Sequence, residues 1–227
     1  MNVQSIFIRK KIDSILSCII MGRKSISNIR RQQIIEAFYE VAKIEGLENT
    51  SIAKIAKKMS INPSLIIHYF KNREELIFGL IEFNLEKYSQ IYQEKDFFDE
   101  NPQTALLNLL DRLFSKDWNY LYDDSVYYSC YALIFRDQKI KNKYRELHDS
   151  LREMLTEAIQ KCIAEGFIEL ENANQTAELI FIMVEGAYYY LGMVDSETEY
   201  QQKMENYKKE AINLLKITNL SSVSNNI

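Results

Sequence analysis

Glycine and proline are scarce, six and two among 227 residues. A many-stranded β fold needs such breakers at its turns, so their rarity argues for long helices instead. Histidine is rarer still for a metal or acid–base site, with only His68 and His148. The three cysteines, Cys18, Cys130 and Cys162, stand far apart and form no CxxC pair and no Cys/His cluster. Neither a disulfide framework nor a structural zinc site is therefore supported, and the thiols read as inert groups in a reducing cytoplasm. No apolar run reaches the ~20 residues that a bilayer span takes. The nearest, Leu179 to Val194, is shorter and is interrupted by Glu185. There is no Gly-rich phosphate loop and no GxSxG elbow. Asp123-Asp124 reads as a helix cap rather than a carboxylate pair. Catalysis, a metal and a resident cofactor are all excluded from the reading, since such chemistry needs clustered His, Cys or carboxylates.

What is present is an ordinary soluble composition, 47% hydrophobic and 26% charged, with an uneven charge. The net charge of −4 and pI near 5.4 argue against nucleic acid until the distribution is read. Met21 to Leu80 holds ten Lys/Arg against six Asp/Glu, whereas residues from Ile81 onward hold fifteen against twenty-five. A basic head on an acidic body can meet phosphates with one face only. Residues 1–24 read as an N-terminal extension, with Met21-Gly-Arg-Lys resembling a start, and 219–227 as a frayed polar tail.

Helical period runs through the rest. Ile34, Phe38, Val41 and Ala42 make one stripe that Gly46 ends. Thr50 or Ser51 caps a short helix with Ile52, Ile55, Ala56 and Met59. After a tight turn at Ser60-Ile61, Asn62 is an N-cap with Pro63 at the first helical position. That third helix covers about Pro63 to Tyr69. Asn72, with Glu75 three residues on, caps a fourth that runs to about Gln93. Five further helices are expected: one opening at Pro102, then about Ser125–Asp137, Ile140–Glu165, Ala173–Val194 and Glu197–Ile217. The fold class is all-α, with a helix-turn-helix domain over 25–72 and a helical effector-binding and dimerisation domain over 73–218.

Two short capped helices across a tight turn, packed on a longer one, place the second short helix in a DNA major groove, ~12 Å wide. The stretch "RRQQIIEAFYEVAKIEGLENTSIAKIAKKMSINPSLIIHYFKNREELI" resembles the TetR family signature. It shares the spaced Ile-Ile-x-Ala opening, Gly46, Thr50-Ser51 before Ile55-Ala56, the Tyr69-Phe70 ending and Leu76 closing the Asn72–Leu76 run. That resemblance implies a bacterial transcriptional regulator, most commonly a repressor released from operator DNA by a small ligand. It places Asn62, Pro63, Ser64 and Leu65 at the groove-facing start of the recognition helix. It makes Thr50, Ser51, Lys54, Tyr69 and Arg73 candidate phosphate contacts. Ile67 stands where the family commonly has a phosphate-bonding tyrosine, so His68 or Tyr69 is left to supply that contact. Ser60 stands where glycine is common, at a cost of about 1 kcal/mol if its φ is positive.

Of the 27 aromatic residues, 21 follow Leu80, which makes the second domain the place for an aromatic pocket. The resemblance implies an effector cavity there. Phe114, Trp118, Tyr127, Tyr131, Phe135, Glu185 and Tyr189 are the candidate lining, for a medium-sized, partly apolar or aromatic effector. The helix from Ala173, apolar on almost every side, must be buried on more than one face. That fits a homodimer, with Gly186 permitting close approach. Operator DNA, a second copy and a small effector are the expected partners, with no membrane. The alternative is a TetR-like DNA-binding protein that answers to a protein partner without a small ligand.

Overall fold

Caps and apolar periodicity decide where each helix begins and ends. The computed structural model describes residues 26–90, 101–115 and 123–217. The expected extension, the tail, the far end of the fourth helix and Trp118 lie outside those residues. The described residues form two units, one ending at Phe83 and the other beginning at Asn84.

In the first unit, α1 covers 26–45 and buries Ile34, Ile35, Phe38, Tyr39, Val41 and Ala42 on one face. Gly46 ends it at φ +82, a conformation that costs a side chain and is open to glycine. Ser51 caps α2, Ile52–Met59, by accepting from the Lys54 N–H. The turn residue Ser60 does adopt the left-handed region, φ 55 and ψ 41, and its N–H closes on Ala56 and Lys57 carbonyls. Asn62 caps α3, Pro63–Tyr69, with Oδ1 accepting from the Ser64 N–H at 2.9 Å. Asn72 Oδ1 accepts from the Glu75 N–H at 2.8 Å where α4, Arg73–Gln90, begins. Glu75 answers at 2.8 Å to the Lys71 N–H, one residue upstream of the N–H a capping box would engage. Leu76, Leu80 and Ile81 of α4 are fully buried, so the division falls within α4 and not at its start, where the sequence pattern put it. Gly79 allows α4 this close approach: a Cβ there would meet Ile35 Cδ1 at 2.9 Å.

The second unit holds the end of α4 and five more helices among the described residues. They are α5 (Pro102–Leu113), α6 (Asp124–Tyr131), α7 (Gln138–Ala164), α8 (Ala173–Leu191) and α9 (Glu197–Leu214). Each begins at a side-chain cap: Asn101, Asp123, Asp137, Asn172 and Ser196 respectively. Such caps contribute about 1 kcal/mol each. The helix expected over 125–137 stops instead at Tyr131 and tightens into a 3₁₀ turn over Ala132–Phe135. α7 packs on α5 and α8, and α9 packs on α8 and α5. Gly166, at φ +76, ends α7, and the following N–H of Phe167 reaches back to Cys162 O at 2.9 Å. An isolated antiparallel bridge between Ile168 and Ile217 ties the ends of α7 and α9, which periodicity did not foretell. Cys130 and Cys162 are buried thiols, pushed by desolvation to about 12 and about 11, the inert condition expected of them.

Two tests follow from this geometry. Ser60→Gly should stabilise the first unit by roughly 0.5–1 kcal/mol, because glycine carries no left-handed penalty but gains unfolded-state entropy. An unchanged or lower denaturation midpoint would show that Ser60 is not strained. The second concerns Glu75, whose carboxyl is held below its ordinary 4.5 by the Lys71 N–H and then by Arg31. Its contribution is therefore complete above pH 4.5 and disappears as pH falls through the lower folded value. Urea midpoints between pH 6 and 3 should fall less steeply in Glu75→Gln than in the parent chain.

Candidate functional site

A seven-residue helix, α3, carries the candidate groove contacts, and its burial pattern sorts them. Ile66 is 0% exposed and Phe70, just past its end, 1%, so this side is bound into the core. Pro63, Ser64, Ile67 and His68 face outward with the cap Asn62, while Leu65 and Tyr69 are half-buried. These outward positions recur at helical spacing and form one strip. Ile67 is 52% exposed, an apolar side chain that no packing within the head requires. It suits a thymine methyl better than the phosphate contact usual at that place. The Ser64 hydroxyl donates to Asn62 Oδ1 at 2.8 Å and keeps its lone pairs outward. The His68 and Tyr69 rings meet edge-on at 5.1 Å.

The expected phosphate contacts divide. Ser51 and Lys54 are exposed, Lys54 pairing with Glu45 and donating to Asn49 O at 2.9 Å. Thr50 is a correction: it is 3% exposed, and its hydroxyl donates to Gly46 O at 2.8 Å, fastening the α1–α2 turn. Arg73 is exposed, yet one guanidinium nitrogen donates to Leu47 O at 2.8 Å. It braces the same turn. Lys57 and Lys58, exposed in the last turn of α2, have no carboxylate partner among the described residues, and the sequence reading passed over them.

It also missed Arg31. Half-buried one turn before Ile34 and Ile35 on α1, Arg31 donates to the Tyr69 carbonyl at the end of α3, and lies 4.1 Å above the Phe70 ring. It reaches Glu75 at 3.5 Å as well. A cation at a helix C-terminus satisfies an orphan carbonyl and opposes the dipole. One side chain thus joins α1, α3 and α4. The signal for it was thin, because a charge three residues before an apolar stripe ordinarily reads as solvated.

In the second unit the aromatic candidates separate similarly. Tyr127 and Tyr131 meet Tyr144 edge-on at 5.8 and 5.2 Å, and the rings continue through His148 to Phe181 at 6.4 and 5.4 Å. Tyr128 meets Tyr189 at 6.3 Å. Its hydroxyl is pushed up to about 12 by burial, then by Asp124 and Glu185. Glu185, half-buried one turn beyond Phe181, therefore faces this group. Phe114 is buried at the end of α5. Phe135 is not brought in: the 3₁₀ turn, with three residues per turn, leaves it 82% exposed. Tyr144, His148 and Phe181 were not among the expected lining. On α8 and just past its end, Leu179, Ile182, Tyr189, Tyr190 and Met193 are exposed apolar residues, with Gly186 in open space. At steps of three and four they form a second apolar face, opposite the one that packs on α7.

These features have close parallels among known proteins. The family model for bacterial regulatory proteins of the tetR family matches residues 34–80, and that for the Tetracyclin repressor-like C-terminal domain matches residues 101–217. The HTH-type transcriptional regulator YvdT of Bacillus subtilis is 27% identical over 188 residues, 82% of this chain and 92% of that protein. Two crystal structures share the fold. A TetR transcription regulator from Haloarcula marismortui has a TM-score of 0.71 and 18% identity, over 83% of this chain and 97% of its own. A transcriptional regulator from Saccharomonospora viridis, solved in complex with choline, has a TM-score of 0.68 and 14% identity, over 80% and 96%. The two models cover the helix-turn-helix head and the helices from α5 to α9, and with them the chain belongs to the TetR family of DNA-binding transcriptional regulators, which are not enzymes.

Proposed function

We propose that the chain is a repressor that grips operator DNA as a homodimer and lets go when a small molecule enters the second unit. The observation that carries this is the outward strip of α3: Ser64, Ile67 and His68 presented on a helix whose other side is locked. Asn62, Ser64 and Leu65 read base edges, with Ile67 on a methyl group, while Ser51, Lys54, Tyr69 and Arg73 hold phosphates. Lys57 and Lys58 add to that positive border.

The second apolar face of α8 supports the dimer. Five large exposed apolar side chains on one strip mark a contact surface, and a two-fold pair presents two recognition helices about 34–36 Å apart, one turn of DNA. The tyrosine–histidine–phenylalanine cluster, with Glu185 beside it, supports a small-molecule effector, and the choline held by the Saccharomonospora viridis regulator is in keeping with one. A ligand that prefers one arrangement of the dimer shifts the population away from the operator-bound form.

Four variants test the reading on DNA upstream of the chain's own gene. Arg31→Ala removes the ionic partner of the Tyr69 carbonyl, worth about 1–2 kcal/mol. It should lower operator affinity roughly tenfold and leave the salt slope unchanged, because Arg31 touches no phosphate. Arg31→Lys should recover part of it. A reduced slope would make Arg31 a DNA contact instead of a brace. Ser64→Ala should relax preference at one or two base pairs without general weakening. Ile182→Glu should yield monomers in sedimentation and abolish tight operator binding; a dimer that survives it would place the interface elsewhere.

A further inference from the structure

Several polar atoms in the interior of the second unit are left unfilled, the Asn84 oxygen as an acceptor and a Gln103 amide nitrogen as a donor among them. Asn84 is 1% exposed and Tyr144 2%. Asn84 Oδ1, the Tyr144 hydroxyl and His148 Nε2 are buried and have no hydrogen-bond partner among the described residues. The Asn84 amide is aimed by its own Nδ2, which donates to Cys130 Sγ at 3.9 Å, so its oxygen is the unfilled end. Tyr144 and His148 share α7 one turn apart, their rings 6.4 Å from each other. Buried polar atoms left unfilled are costly and uncommon. Here three belong to one neighbourhood: Cys130, on which Asn84 is hung, sits on α6 between Tyr127 and Tyr131, whose rings both meet Tyr144.

The surroundings specify the charge of what would fill them. Tyr127, Tyr131, Tyr144, His148 and Phe181 supply ring faces, which attract cations. Glu185 adds a negative charge at the side of the cluster. The arginines of the same helix are drawn elsewhere, Arg145 and Arg152 both pairing with Asp149 at 3.6 and 3.0 Å. Among the described residues no cation–π pair involves these rings. An anion would find acceptors and a carboxylate, and a hydrocarbon would leave the acceptors unfilled.

We infer that the effector is an organic amine in its protonated form, its N–H groups donating to Asn84 Oδ1, with His148 Nε2 as a second acceptor when that ring carries its proton on Nδ1, and its charge held by the surrounding rings and Glu185. This rests on the effector reading above and adds to it the chemical class and the acceptor. The N–H requirement sets such a ligand apart from a quaternary ammonium, which offers charge without donors. Tyr144, whose hydroxyl can donate or accept, adjusts to whichever acceptor the ligand leaves. Asn84 lies on α4, so the ligand grips the helix that begins at Arg73.

Four probes of like size decide the matter by calorimetry on the full chain: phenethylamine, phenethyl alcohol, hydrocinnamate and trimethylphenethylammonium. The amine should bind at least about tenfold more tightly than the alcohol, the quaternary ion should fall between them, and hydrocinnamate should not bind. Asn84→Leu should collapse the preference for amine over alcohol to about twofold or less. Asn84→Asp, which keeps the oxygen in place and adds charge, should widen it and guards against a folding defect in the leucine variant. Binding of the alcohol or hydrocinnamate as tight as the amine, or no binding of any probe, overturns the proposal. So does an amine preference that Asn84→Leu leaves intact, or a quaternary ion that binds as well as the amine. Fluorescence anisotropy on labelled upstream DNA keeps the two readings apart. An amine that binds without releasing DNA sinks the effector reading but not the ligand class, and release by the alcohol as readily as by the amine sinks the class alone.

Discussion

Seven residues of α-helix do not hold themselves together in water, where isolated helices shorter than about 12–15 residues are marginal. The recognition element α3 is that short, so its shape depends on what grips it from outside. Asn62 and Pro63 fix its first turn, Ile66 and Phe70 bind one side into the core, and Arg31 holds the carbonyl at its far end. Because Arg31 also meets Phe70 and Glu75, and Glu75 in turn accepts from Lys71 N–H, both ends of the α3–α4 corner are set by one ionic group. Base reading needs side chains held to within a fraction of a hydrogen-bond length, and loops rarely supply that. The clasp converts a marginal helix into a rigid one.

The parts of this arrangement that were legible from residues alone are those governed by local rules. Gly46, Asn62-Pro63 and Asn72 each speak for the turn they occupy, and α3 begins and ends where its cap and its Tyr69-Phe70 ending place it. The left-handed Ser60 entered only as a condition, from the glycine common at that place in the family the sequence resembles, and the turn meets that condition at φ 55. Arg31 and Thr50 were not, for one reason: their roles are long-range or concealed. Arg31 acts on residues 38 and 44 positions away, and nothing in its neighbours announces that. Thr50 looks like any hydroxyl at a helix start, and only tertiary burial shows that its donor is used on Gly46.

In the second unit the same distinction separates core from cluster. Tyr144, Leu147 and Leu151 stand at steps of three and four on α7 and are buried, yet such spacing gives no means of telling a tyrosine that packs from one whose hydroxyl is left unfilled. His148 read as an isolated histidine for want of a sequence partner, but its neighbours Tyr131 and Phe181 come from α6's end and from α8. Phe135 was placed in the lining as one of the aromatic residues gathered after Leu80, with no account of its direction. The 3₁₀ turn rotates it out. A change of helical period over four residues is enough to redirect one side chain while leaving the element count nearly intact.

Charge makes the last connection. An overall acidic chain can bind a polyanion if its basic residues are concentrated where contact occurs, and the head has that excess. Some of its cations also make bonds within the head: Lys54 with Glu45, Arg31 with Tyr69 and Glu75, and Arg73 with Leu47 O, so Lys54 and Arg73 have only their remaining donors for phosphates. The head therefore joins rigidity to a small supply of exposed positive charge, such as Lys57 and Lys58, and a single copy neutralises few phosphates. Since affinity for phosphates grows with the number of counterions released, one head alone is a weak binder. In the dimer proposed above, two heads joined through the apolar face of α8 double that number and fix its spacing. On that proposal the interface on α8 bears on DNA recognition as directly as the residues of α3.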